Sequence, residues 1–152
     1  MSVITVVYST GSSNRVVPSV SLEWARKQTF VITDHPFLQR SVFSKNEINV
    51  CKKNQIGEKF AGPKPILFVD SLRDAVKEAL DRSSDEEIIV TGSVVLINKS
   101  LKYANYVRHT TIKDSEGIGE GMVLLSNDTW RRIQLINHGS EKVEKYERRI
   151  LT

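Results

Sequence analysis

Short apolar runs separated by clusters of turn formers recur along the whole chain, and the spacing inside each run assigns its element. Val3-Ile4-Thr5-Val6-Val7-Tyr8 is nearly continuous in apolar residues and of strand length, the pattern of a strand covered on both faces. Ser9-Thr10-Gly11-Ser12-Ser13-Asn14 consists of turn formers and reads as a loop. Pro18-Ser19 opens a predicted helix to about Lys27, with Ser19 as N-cap and Leu22, Trp24 and Ala25 among its apolar positions. Phe30-Val31-Ile32 is a second strand, stopped by Asp34-His35-Pro36, and residues 47–51 alternate as a third. Gly57 to Pro65 holds two glycines and two prolines and predicts a loop.

Pro65 then introduces Ile66-Leu67-Phe68-Val69, a buried-strand run. Ser71-Leu72-Arg73-Asp74 resembles a capping box with Asp in the Glu place, and Leu72, Ala75, Val76, Ala79 and Leu80 recur at helical spacing, predicting a helix over 72–82. Residues 87–91 form a short apolar run ending at Gly92-Ser93, where a helix begins through Val94, Val95 and Ile97. Residues 106–112 alternate as a strand. Two long alternating segments, 130–138 and 142–150, are joined by His138-Gly139-Ser140 as a hairpin. The order strand, turn, helix, strand implies a mostly parallel sheet with its ligand crevice at the carboxyl ends of the strands. The expected fold class is α/β, with helices on both faces and an antiparallel C-terminal hairpin.

Composition narrows this further. With 152 residues, 39% of them hydrophobic and 26% charged, the chain is long and apolar enough for one globular domain over 1–152. The 22 Lys and Arg against 18 Asp and Glu leave +4, which favours anionic partners. No apolar run approaches the length of a membrane span, so no membrane partner is expected. Cys51 is the lone cysteine and cannot close an internal disulfide; with an N-terminus that reads as a strand, it points to a reducing, cytoplasmic setting. His35, His109 and His138 stand apart without metal-ligand spacing, so no metal site is expected, and each reads as a surface or strand residue. The basic pairs Lys52-Lys53, Arg131-Arg132 and Arg148-Arg149 lack interleaved aromatics, so they suit an acidic protein surface better than nucleic acid.

Several of these residues together resemble the dihydrofolate reductase family. The run Glu87-Ile88-Ile89-Val90-Thr91-Gly92-Ser93, followed by Ala104, Val107 and Thr110, is similar to that family's core, in which a strand ends in a Gly-Gly pair and a helix follows. Ile4 to Tyr8 resembles its first strand, Ser71 to Leu80 its amphipathic helix, and Trp130 with Tyr146-Glu147-Arg148-Arg149 its C-terminal hairpin. Asp34-His35-Pro36-Phe37-Leu38 with Arg40 is also similar to a segment of the related reductases of riboflavin biosynthesis, with the arginine one residue early.

The resemblance implies four chemical requirements. A carboxylate on the first helix should bind the pterin and help protonate it; Ser21, three residues before Trp24, stands in its place, and Glu23 is the nearest acid, about 200° around the helix. A lid over the nicotinamide should lie between first strand and first helix, where residues 9–19 hold only Gly11 and no tryptophan. A basic clamp should hold the cofactor phosphates; the matching stretch is Thr33-Asp34-His35-Pro36, whose Asp34 repels an anion, leaving Lys52 and Lys53 to compensate. The fourth is the turn under the pyrophosphate, represented by Gly92 and Ser93, with Thr110 at the position that bonds carboxylate and pterin.

Two readings follow. In the first, a divergent protein of this fold lacks reductase catalysis, needs no cofactor, and serves as a binding or protein-interaction module through the old crevice or the basic surface. In the second, it is an active NADPH-dependent reductase of dihydrofolate or a related pterin. There Ser21, Glu23 and Thr110 would serve the chemistry, and Gly92, Ser93, Lys52 and Lys53 the cofactor.

Overall fold

A computed structural model of the chain describes residues 2–10, 30–34, 46–50, 57–61, 64–83, 87–112, 125–139 and 141–149. These form strands β1 (Val3–Thr10), β2 (Phe30–Thr33), β3 (Asn46–Val50), β4 (Gly57–Ala61), β5 (Lys64–Val69), β6 (Glu87–Val90), β7 (Tyr106–Ile112), β8 (Trp130–His138) and β9 (Glu141–Arg148). The helices are α1 (Leu72–Arg82) and α2 (Val94–Ser100), the latter continued by a 3-10 turn over Leu101–Tyr103.

All nine strands lie in one sheet, ordered β4-β5-β3-β2-β6-β1-β7-β9-β8. The inner pairs β5/β3, β3/β2, β2/β6, β6/β1 and β1/β7 are parallel. The sheet turns antiparallel at both ends, through β4/β5 and through β7/β9/β8. The α/β class, the mostly parallel sheet and the antiparallel C-terminal hairpin are as the sequence pattern implies. The helix expected near residues 19–27 lies outside the described residues.

Burial explains the continuous apolar runs. On β1, Ile4, Val6 and Tyr8 join the core cluster with α1 and α2, while Thr5 and Val7, which point the other way, are buried as well. Ile32, Val90, Val6 and Val107 stand side by side across β2, β6, β1 and β7, all of them fully buried. Helix α1 lays Leu72, Ala75, Val76 and Ala79 on this sheet, and burying Leu72 and Val76 stabilises by about 1.5–3 kcal/mol each. The fully buried Ala75 and Ala79 let the helix approach the strands closely. The N-cap is Ser71, whose Oγ accepts from the Asp74 amide at 3.1 Å. The two helices also touch each other, so they share one face of the sheet.

One local expectation is corrected. The expected loop over 57–65 holds two strand segments: Gly57–Ala61 is the edge strand β4, paired antiparallel with β5 from Gly57↔Phe68 to Ala61↔Lys64, and residues 64–65 open β5. Glycine and proline dominate the local signal, but the strand is made by pairing with a neighbour, and an edge position tolerates both residues. Pro65 sits opposite Phe60, one residue before the pairing of β5 with β3 begins at Ile66.

Candidate functional site

The parallel strands end together, so their carboxyl ends form a rim. Two residues beyond the fully buried row come Asp34 after β2, Gly92 after β6, Tyr8 on β1 and His109 on β7, and Glu144 of β9 faces His109. Among the described residues the rim carries two polar groups, one at each end of this row.

The first joins Asp34 to the turn before α2. Ser93 is the N-cap of α2, its Oγ accepting from the Leu96 amide at 3.2 Å. Oδ1 of Asp34 accepts from the Ser93 amide at 2.9 Å, and Ser93 Oγ donates to Oδ2. Gly92 has φ +152°, and a Cβ built on it would overlap Asp34 Oδ1 and crowd Leu96 and Thr33. The missing side chain therefore makes room for the chain's own carboxylate. Asp34, expected to repel a cofactor phosphate from its loop, takes the amide and hydroxyl at the turn where the resemblance sets the pyrophosphate. A negative group already bonded there does not fit a second one.

The second group gathers around Glu144. The rings of Tyr8 and His109 stack with centroids 4.4 Å apart and planes 8° apart. Nδ1 of His109 lies 4.0 Å from Glu144 Oε1, which Lys142 Nζ approaches to 3.7 Å. Oε2 accepts from Arg132 Nη1 and from the Tyr146 hydroxyl, each at 3.1 Å. Burial pushes the Glu144 carboxyl upward, but the bonds from Arg132 and Tyr146, with Lys142 and His109 nearby, outweigh it and hold the group below its ordinary value. Burial lowers the His109 imidazole, Glu144 opposing in part and Lys142 adding to the fall. Burial, reinforced by Tyr146 and Glu144, holds the Tyr8 phenol protonated. At neutral pH the cluster thus presents an ionised carboxylate, a neutral imidazole and two phenols.

Sequence reasoning reads His109 as a surface or strand residue and Arg132 only as one of a basic pair, and it does not single out Tyr8 or Glu144. Alternation puts Tyr8 and His109 on matching faces of their strands, but only the register Tyr8↔His109 and His109↔Glu144 brings the three together. Thr110, the other candidate on β7, is fully buried and pairs Ser9 on one side and Val143 on the other. It points to the sheet face opposite His109. Gly92 and Ser93 are adjacent at the α2 turn, separated from Thr110 by β1. Ser21, Glu23, Lys52, Lys53 and Cys51 lie outside the described residues. Among the described residues no group of three or more His, Cys, Asp or Glu could hold a metal ion, and no helix is long and apolar enough to cross a membrane.

The arginine pairs of the hairpin have structural partners. Arg131 bonds Glu147 and Arg132 bonds Glu144. Arg148 donates to the carbonyls of Ala104 and Leu101 and lies 4.9 Å over the Trp130 ring, and Arg149 donates to Asn127 O at 2.8 Å.

Comparison with known proteins gives no match to a protein-family profile or to a curated protein sequence. Solved structures do match. A diaminohydroxyphosphoribosylaminopyrimidine deaminase/5-amino-6-(5-phosphoribosylamino)uracil reductase from Thermotoga maritima superposes with a TM-score of 0.68 at 11% identity, over 96% of this chain and 56% of that one. This chain therefore spans little more than half of that protein. A dihydrofolate reductase from Enterococcus faecalis, complexed with NADP(H) and RAB-propyl, also gives 0.68, at 13% identity and over 96% of both chains. These superpositions show that the chain has a dihydrofolate-reductase-like fold.

Proposed function

We propose that this chain is a divergent, single-domain member of the dihydrofolate-reductase fold that does not carry out reductase chemistry and acts as an intracellular binding module for a protein partner. The observation that supports this reading is the pair of hydrogen bonds from Ser93 to Asp34. A cofactor pyrophosphate at this turn would meet a carboxylate bonded to the same amide, and like charges about 4 Å apart repel by roughly 1–4 kcal/mol near a protein surface. Releasing Asp34 instead would give up both bonds. Ser21 in the place of the pterin-binding carboxylate points the same way, since a serine hydroxyl carries no charge for the amidine.

A second reading draws on the Enterococcus faecalis reductase, whose structure holds NADP(H). In it this chain binds NADPH over Gly92 and Ser93 with Lys52 and Lys53 on the phosphates, and reduces a pterin beside Ser21, Glu23 and Thr110. One experiment separates the two. Purified protein is heated with and without NADPH, and NADPH oxidation is followed with dihydrofolate present. A ligand at 100 times its dissociation constant would stabilise by about 2.7 kcal/mol. No shift and no oxidation are expected; a saturable shift with turnover would establish the reductase instead.

A further inference from the structure

The C-terminal hairpin ends the sheet on β8, and among the described residues nothing pairs with the outer side of that strand. Arg131, Arg132, Ile133, Gln134 and Leu135 are all exposed, Ile133 at 44% and Leu135 at 46%, so a stretch of five residues is open to solvent. An open strand edge presents a row of backbone donors and acceptors, and exposed apolar side chains beside it are a template for another strand; here the register against β9 shifts between Arg132 and Gln134, so an added strand would pair on either side of Ile133. The charge is equally uneven. Between Trp130 and Arg149 stand Arg131, Arg132, Lys142, Lys145, Arg148 and Arg149 against Glu141, Glu144 and Glu147, which is six minus three, or +3 of the chain's +4. Pairing within the hairpin does not remove this excess, because each glutamate can neutralise one cation only. Arg131 and Arg132 keep 59% and 52% of their side chains exposed while bonded to Glu147 and Glu144.

We infer that β8 is a docking edge for an extended acidic peptide segment of a partner protein, added antiparallel or parallel as a tenth strand. The inference rests on the binding-module reading and names its partner. Arg131 and Arg132 point to opposite faces of the strand, so acidic residues on either face of the added strand would stand across from a guanidinium, and apolar ones would meet Ile133 and Leu135. Charge argues against a second copy of this chain, whose own hairpin would set +3 against +3. Base stacking is what argues against a nucleic-acid strand: the rings of Trp130, Tyr106 and Tyr103 already lie under Arg148, Lys145 and Lys102 and are not free to stack on bases.

The test titrates the full chain into three fluorescent ten-residue peptides read by anisotropy: alternating Glu and Val, the same with Lys for Glu, and the Glu peptide with two central prolines. The Glu peptide should saturate below about 1 mM, weaken about tenfold between low and high salt, and protect β8 amides from exchange. The Lys and proline peptides should bind at least about tenfold more weakly, the first for charge and the second for lost backbone donors. Charge reversal by Arg131→Glu, with folding checked by circular dichroism, should weaken the Glu peptide likewise. Equal binding of the three peptides, no saturation, protection elsewhere than β8, tighter binding of a single-stranded oligonucleotide, or a dimer in sedimentation that masks β8 would each overturn the inference. NADPH turnover would overturn the module reading, whereas a failed peptide titration would overturn the β8 inference and leave that reading standing.

Discussion

A methyl group on Gly92 would displace the carboxylate of Asp34: the Cβ position of Gly92 overlaps Asp34 Oδ1. The backbone there, at φ +152°, is one that L side chains rarely adopt. Gly92→Ala is therefore expected to destabilise by about 1–3 kcal/mol from the backbone alone, and further from displacing the carboxylate. In urea denaturation the double variant with Asp34→Ala should cost less than the two single losses added, because the overlap is relieved. Strict additivity would show that the two residues do not compete for this space.

The same turn predicts unequal roles for the two atoms of Ser93 that touch Asp34. Ser93→Ala removes the hydroxyl that caps α2 and bonds Asp34, yet keeps the amide bond to the carboxylate. A loss of about 1 kcal/mol is expected. Asp34→Asn keeps an acceptor for the amide and should cost less than Asp34→Ala, which leaves a half-buried donor unmet at about 1–3 kcal/mol. Equal unfolding midpoints for Asp34→Asn and Asp34→Ala would mean that the hydrogen bond is not what holds this turn.

The Glu144 cluster gives the stability a defined pH dependence. The folded His109 pKa is held below its ordinary 6.5, chiefly by burial, so the unfolded chain takes up the proton more readily. The stability tied to it is complete above about pH 6.5 and is lost as pH falls through the lowered folded value. Glu144 is also lowered in the folded state, from 4.5, so its contribution is complete above about that pH and is lost as the pH falls further. Both effects have the same sign, and stability should fall in two steps on acidification. His109→Phe keeps a ring against Tyr8 and should abolish the upper step in urea midpoints measured against pH. An unchanged upper step in that variant would assign it to another group.

What the sequence conveyed depended on how local the cause was. Helix α1 was legible because Ser71, the apolar spacing from Leu72 to Ala79 and the helix end lie within one short window. The β8/β9 hairpin was legible because alternation meets at Gly139, whose φ of +63° supplies the left-handed residue the turn needs. Strand β4 was hidden, since its existence depends on pairing with β5 and its own residues signal a turn. The strand-to-helix turn at Gly92-Ser93 could be found by inspection, but its partner Asp34 lies 59 residues earlier, and nothing local says that the carboxylate reaches it. Tyr8, His109 and Glu144 meet only through the registers of two strand pairings, which a single sequence does not reveal.

Arg148 supplies the last test, because it ties the C-terminal strand to the turn after α2. Its Nε donates to Ala104 O at 3.0 Å and its Nη2 to Leu101 O, while the guanidinium lies 4.9 Å from the centre of the buried Trp130 ring. A planar fork can reach two carbonyls and stack on an indole at once, which an ammonium cannot do. Arg148→Lys keeps the charge but should lose about 1–2 kcal/mol, since at least one carbonyl bond and part of the ring contact go. The loss should appear in urea denaturation and as faster exchange of the amides of Asn105 and of position 148, whose backbone bonds, Asn105 N to Ile4 O and Arg148 N to Asn105 O in the parent chain, cross the same junction. If Arg148→Lys unfolds at the wild-type urea concentration, charge alone would account for the role of Arg148, and the fork geometry would carry no stability.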